Sequence, residues 1–146
     1  MNTELKQNMN KLVADLNVLY MKLHHFHWFV KGPHFFTLHE KFEELYEEVT
    51  GHNDDVAERL LQLNEKPIST LKECLELATI KEASTIGNDV EMVEELVNDL
   101  KTLDKELLTT IKLASEDGDE GTADLLLGMS ESFQKHIWML SAFIGK

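Results

Sequence analysis

The sequence predicts an all-α chain, a four-helix bundle with a short extra helix in the long connector between its second and third helices. Three observations predict it. Apolar residues recur at helical spacing over four long stretches, only Pro33 and Pro67 interrupt the 146 residues, and no stretch alternates polar and apolar residues as a strand would. The first stretch carries Met9, Leu12, Val13, Leu16, Leu19, Tyr20, Leu23, Phe26 and Val30, and Lys31, Gly32 and Pro33 stop it. The second carries Phe35, Leu38, Phe42, Leu45, Tyr46, Val49, Val56, Leu60 and Leu63, with Gly51 a mild weakness in its middle, and ends at Asn64, Glu65, Lys66 and Pro67. A connector from about Ser69 to Gly87 follows, in which LKECLELA reads as one short helix. Asn88 and Asp89 supply caps for the third stretch, Val90, Val93, Leu96, Val97, Leu100, Leu103, Leu107 and Ile111. The run from Glu116 to Gly121 is a turn by composition, and the fourth stretch carries Leu125, Leu126, Met129, Phe133, Ile137, Leu140 and Phe143. One long connection among four amphipathic helices describes a bundle with a crossover, and residues 1–146 read as a single domain.

Composition narrows the partners. Asp and Glu number 27 against 14 Lys and Arg, a formal charge of −13, which disfavours a surface built to neutralise nucleic-acid phosphates and points to cations. A chain of this length buries roughly 68–70% of its unfolded surface, so it needs no disulfide to hold a core. The single Cys74 allows none within the chain and suits a reducing compartment. The amino terminus, MNTELKQNMN, lacks the apolar segment of a signal peptide, and a cytoplasmic location is expected. The longest run free of charged residues, His136 to Gly145, falls well short of the ~20 apolar residues of a membrane span.

Six of the seven histidines lie between positions 24 and 52, beside a dense set of carboxylates. His27, His39, Glu43, Asp54 and Glu58 are the main metal-ligand candidates. His39 and Glu43 are four residues apart, as are Asp54 and Glu58, so each pair shares a helix face. Mixed imidazole and carboxylate donors suit iron, zinc or manganese, whereas one thiol excludes zinc-finger and iron–sulfur chemistry. A bundle with such donors is similar to the di-iron carboxylate proteins, whose usual signature is Glu-x-x-His, yet no histidine here has a Glu three residues before it. The usual site within one subunit is therefore not encoded. His39 and Asp54 are fifteen residues apart on one helix, roughly 22 Å at about 1.5 Å per residue. They cannot share an ion within one chain. If both pairs are ligands, His27 and His39 of one subunit must face Asp54 and Glu58 of another, and a two-fold interface makes two such sites.

The segments HWFVKGPHFFTLHEKFEELYEEV, residues 27 to 49, and DDVAERLL, residues 54 to 61, resemble the signature of Dps proteins, the ferritin-like mini-ferritins of bacteria. The four helices, the short connector helix and the ending KHIWMLSAF extend the resemblance over nearly the whole chain. It implies a hollow dodecamer with 23 symmetry and a di-iron ferroxidase centre at the subunit interface, with His27, His39 and Glu43 from one subunit and Asp54 and Glu58 from its neighbour. Dps proteins oxidise Fe(II), commonly with hydrogen peroxide and otherwise with dioxygen, and store the ferric product inside. Trp28 corresponds to a family tryptophan near the irons, an electron donor or radical quencher, although packing within the bundle is an equal reading for it alone. Singly, His27 and His39 also suit hydrogen-bonded core positions, and Glu43, Asp54 and Glu58 suit solvated helix faces, with Glu58 and Arg59 as surface decoration. The joint pattern favours the metal. His24, His25, His34 and His52 match no family ligand, and Cys74 and the methionines read as packing residues.

Within such a shell, Glu44, Glu47 and Glu48 of the second helix would face the cavity and nucleate mineral. Asp117, Asp119, Glu120 and Asp124 fall where family members line a three-fold iron-entry pore with acids, and Asp124 is the best match. Many Dps proteins also bind and compact DNA through lysine-rich tails, which makes a non-enzymatic nucleoid protein the alternative. Here the first fifteen residues balance Lys6 and Lys11 against Glu4 and Asp15, and the sequence stops at Gly145 and Lys146. DNA binding is therefore not expected.

Overall fold

The structure, a computed structural model, describes residues 1–146 as five helices: α1 (Thr3–Phe29), α2 (Phe35–Gln62), α3 (Leu71–Leu77), α4 (Asp89–Glu116) and α5 (Glu120–Phe143). The helix starts are chemically specified. Asn2 accepts from the Glu4 and Leu5 amides, Asn88 from Glu91 and Asp119 from Thr122, each meeting a donor left open in a first turn. Thr70 and Glu73 form a reciprocal capping box that holds α3, only seven residues long. The stops are equally local. α2 ends where Asn64 turns left-handed at φ 62° and the Glu65 amide reaches back to the Leu60 carbonyl. No helix is long and apolar enough to cross a membrane.

α1 packs along α2, α4 along α5, and α1 also meets α3 and α4, so the four long helices surround one core. Phe26, Phe42 and Phe133 fill it with Met9, Leu12, Leu19, Leu60, Leu96 and Leu126, all essentially inaccessible. The apolar stripes face this core as the spacing predicts, except that Val90, in the first turn of α4, and Phe143, at the end of α5, are 43% and 39% exposed. α2 runs unbroken through Gly51, which keeps His39 and Asp54 on one rod.

Polar side chains of α1 fasten the connector, a feature that apolar spacing does not reveal. Asn10 accepts from the Ile68 amide at 2.8 Å, Asp15 from those of Thr79 and Ile80 at 2.7 and 2.9 Å, Lys22 donates to the Lys81 carbonyl at 2.8 Å, and His25 meets the Thr85 carbonyl at 2.8 Å. Each satisfies a backbone group of a segment with almost no helix of its own.

At Asp15 the fastening includes a shared proton. The single hydroxyl hydrogen of Thr79 faces both Asp15 and Glu106 and can serve only one. Burial, then the adjacent Asp15, push the Glu106 carboxyl up from 4.5 to about 7. A raised acid favours folding below its unfolded value, and that contribution is lost as pH rises through about 7. Glu106→Gln is therefore expected to raise the melting temperature at pH 8 more than at pH 5.5, a difference that calorimetry reads directly. Equal shifts at both pH values would contradict the shared proton.

Candidate metal centre

His27 lies in the last turn of α1, buried at 6% exposure, and His39 lies one turn into α2, directly across the hairpin. Their rings stack at 3.7 Å and 12°. Each Nδ1 contacts the other residue's backbone carbonyl, at 2.6 Å from His27 and 2.7 Å from His39. A carbonyl only accepts, so both rings must carry their proton on Nδ1. In the neutral rings both Nε2 atoms are then lone pairs. This outer hydrogen bonding fixes the tautomer and aim of metal-ligating histidines. Glu43, exposed one turn beyond His39, places Oε1 3.7 Å from His27 Nε2. In the neutral ring that nitrogen and the Glu43 oxygen are two metal donors side by side.

Asp54 and Glu58 are exposed near the other end of α2. The Asp54 charge, ahead of the hydrogen bond between the two carboxyls, raises Glu58 above its ordinary range. The neighbouring Arg59 does not neutralise them. It turns to α5, donating from Nη2 to Asp119 at 2.9 Å and from Nε to Thr122 at 3.0 Å. Arg59 is thus a strut between helices, which corrects its reading as surface decoration. Gly121 lets it pass, since a Cβ there would sit 2.7 Å from Nη2.

No three His, Cys, Asp or Glu side chains stand open around a metal-sized point within one chain. The structure brings together His27, His39 and Glu43, and separately Asp54 and Glu58, and keeps the two sets apart.

Trp28 is 62% exposed, which overturns its reading as a packed bundle residue. Its ring lies 5.0 Å from His24, which stacks on Tyr46 at 3.8 Å; Tyr46 in turn meets His27 edge-on at 5.5 Å. Tyr46, one turn from Glu43, enters the expectations only as an apolar stripe residue. Glu44 and Glu47 are exposed on α2, but Glu48 is tied to His52, His136 and Ser132 rather than projecting freely. Burial alone would raise the Glu48 carboxyl, yet those three donors hold it far below the usual range. His52 thus has a definite partner, signalled by its four-residue spacing from Glu48; His136 becomes its neighbour only through the fold. Asp117, Glu120 and Asp124 are exposed around the α4–α5 turn, whereas Asp119 is committed to Arg59 and to capping α5.

Comparison with known proteins decides the family. A model of the ferritin-like domain matches residues 6–146. The "DNA protection during starvation protein 2" of Bacillus anthracis is 48% identical over 146 residues, covering 100% of both chains. The crystal structure of a Dps protein from Bacillus brevis superposes with a TM-score of 0.94 at 49% identity, covering 99% of both chains. The chain belongs to the Dps family. Another Dps structure, from Vibrio cholerae O1, is described as a member of a broad superfamily of ferritin-like diiron-carboxylate proteins; it superposes with a TM-score of 0.93 at 34% identity, over 97% of this chain and 89% of that one. The Dps fold is the crossover four-helix bundle that the apolar spacing predicts, with α3 as the short connector helix.

Proposed function

We propose that this Dps protein is a ferroxidase and iron store that oxidises Fe(II), with hydrogen peroxide in preference to dioxygen, at di-iron sites shared between subunits. The observation that carries the reading is the pair of Nδ1–carbonyl contacts, which leaves His27 and His39 with Nε2 lone pairs beside Glu43 while the same helix holds Asp54 and Glu58 roughly 22 Å away. His27, His39 and Glu43 of one subunit bind iron together with Asp54 and Glu58 of its neighbour. Three carboxylates favour Fe(III) over Fe(II), and so few protein ligands leave positions open for the oxidant. Each peroxide takes one electron from each of two Fe(II) ions, its O–O bond breaks, and with two protons it leaves as two waters. Because the electrons arrive as a pair, no hydroxyl radical is released.

Assembly is part of the proposal. Met21, Trp28 and Phe29 of α1 and Leu71 and Leu75 of α3 line one exposed groove of about 360 Å³, an apolar face that one chain leaves open to water. A second copy seated there covers it and brings the two half-sites together, the first contact of a dodecamer with 23 symmetry. Within that shell Asp117, Glu120 and Asp124 form the iron-entry pore, Glu44 and Glu47 lead mineral nucleation, and Trp28 donates electrons near the irons. The shell is placed in the cytoplasm, where a lone thiol stays reduced. Anaerobic Fe(II) followed by peroxide should yield ferric absorbance at two irons per site, faster than with air-saturated buffer. No acceleration over protein-free solution would sink the reading.

DNA compaction is not part of the proposed function, despite the name of the Bacillus anthracis relative. The formal charge is −13 per chain, and Lys6 and Lys11 near the amino terminus are already paired with Glu65 and Glu106. Duplex DNA is expected to run unretarded in a low-salt gel. A tight, salt-sensitive complex would overturn this.

A further inference from the structure

α3 forms one wall of the apolar groove, with Leu71, Cys74 and Leu75 beside Met21, Trp28 and Phe29 of α1. Its seven residues are too few to hold a helix by themselves. Two pins on α1 flank it. Asn10 accepts from the Ile68 amide just ahead of α3, and Asp15 accepts from the Thr79 and Ile80 amides just behind it. Asp15 is wholly buried, and the Thr79 hydroxyl lies between its Oδ2 and Oε1 of Glu106 on α4. A neutral Glu106 completes this arrangement by donating from Oε1 to Thr79 Oγ, which then donates to Asp15. An ionised Glu106 cannot, because Thr79 has no second hydrogen, and Glu106 Oε2 is buried with no donor of its own.

We propose that Asp15, Thr79 and Glu106 form a proton-operated latch on the connector, closed while Glu106 holds its proton and released when it ionises, so that subunit assembly weakens above neutral pH. The assembly half rests on the proposed seating of a second copy in the groove; the latch itself does not. From α1, Asp15 opposes ionisation of Glu106, and Lys11, 3.5 Å from Oε1, favours it less strongly. The connector faces Glu106 with Thr79. Asp99, further along α4, adds a like charge near Asp15 and is itself held by Lys22. Burial and Asp15 prevail, and Glu106 keeps its proton up to about 7. Opening returns the carboxyl to water and to its ordinary 4.5 and releases the proton, so rising pH drives opening until the drive levels off above about 7. Two buried anions on either side of one hydroxyl are relieved by water entering between α1, α4 and the connector. That motion withdraws the pin behind α3 and with it one wall of the groove.

Hydrogen exchange of the unmodified protein, corrected for intrinsic chemistry, reads the latch at the amides of Thr79 and Ile80. Opening there should rise about tenfold from pH 6 to pH 8.5, with α5 unchanged. Glu106→Gln, whose amide donates to Thr79 as the neutral acid does, should abolish the rise. A flat profile in the unmodified protein, a rise of equal size in Glu106→Gln, or a rise shared by every helix overturns the latch. Sedimentation at the same two pH values reads assembly. The unmodified subunits should come apart at a several-fold higher protein concentration at pH 8.5 than at pH 6, and those of Glu106→Gln at the same concentration at both. An opening latch with unmoved assembly overturns the coupling between them. A chain monomeric at both pH values overturns the seating of a second copy in the groove, while exchange still decides the latch.

Discussion

Iron oxidation by the His27→Ala protein, and equally by the Asp54→Ala protein, is expected to fall at least about 100-fold, because even the outer hydrogen-bond partners of metal ligands are worth 10–100-fold. Loss of His27 removes one of the two Nε2 donors and the ring stacked on His39, while the backbone carbonyl at position 27 still holds His39 Nδ1. Loss of Asp54 removes a carboxylate with no structural duty, since it is exposed and Arg59 is engaged elsewhere. The Asp54→Ala chain should therefore fold with stability within about 0.5 kcal/mol of the parent, the usual range for surface changes. Stopped-flow ferric absorbance and circular dichroism on the same samples separate a lost ligand from a lost fold. Activity retained by Asp54→Ala would remove the acidic half of the site from the mechanism.

The largest stability effect is expected at Lys22. Its side chain is 3% exposed, and its ammonium lies 2.7 Å from Asp99 and 3.2 Å from Glu95 while donating to the Lys81 carbonyl. Burial pushes Asp99 up despite Lys22. At Glu95 burial is outweighed by Ser84 and Lys22, which hold that carboxyl low. Lys22→Ala strands both carboxylates and frees the connector, a loss of about 3–5 kcal/mol by comparison with other broken buried ion pairs. For a domain of this size that is on the order of 10 °C in melting temperature. The triple variant Lys22→Met, Glu95→Gln, Asp99→Asn should recover much of it, because no charge is then left unpaired. A Lys22→Ala protein that melts with the parent would show the network to be ornamental.

The apolar stripes made the four long helices legible, because a 3.6-residue period survives wherever one face is buried. The His39–Glu43 and Asp54–Glu58 pairs were legible for a related reason: four-residue spacing fixes a helix face, and helix rise converts fifteen residues into a distance too long to share. What escaped was polar and buried. Asp15 and Lys22 lie inside α1 at 0% and 4% exposure, yet apolar periodicity treats them as surface because it cannot see the backbone groups of a connector 59 to 65 residues away. Arg59, Asp119 and Thr122 escaped likewise, their contacts spanning about sixty residues. Trp28 erred in the opposite direction. An aromatic beside a core position reads as packed, whereas its exposure follows from a face that one chain leaves uncovered.

The central claim, that one chain supplies only half a site, is tested most directly by complementation. His27→Ala and Asp54→Ala subunits, each inactive alone, are mixed in equal amounts in denaturant and reassembled. With random pairing, half of the two-fold contacts join one chain of each kind, and each such contact contains one site with every ligand intact and one with both halves damaged. About a quarter of the parental iron-oxidation rate should return. A reassembled mixture as inactive as its two components would show that the ligands act within one chain.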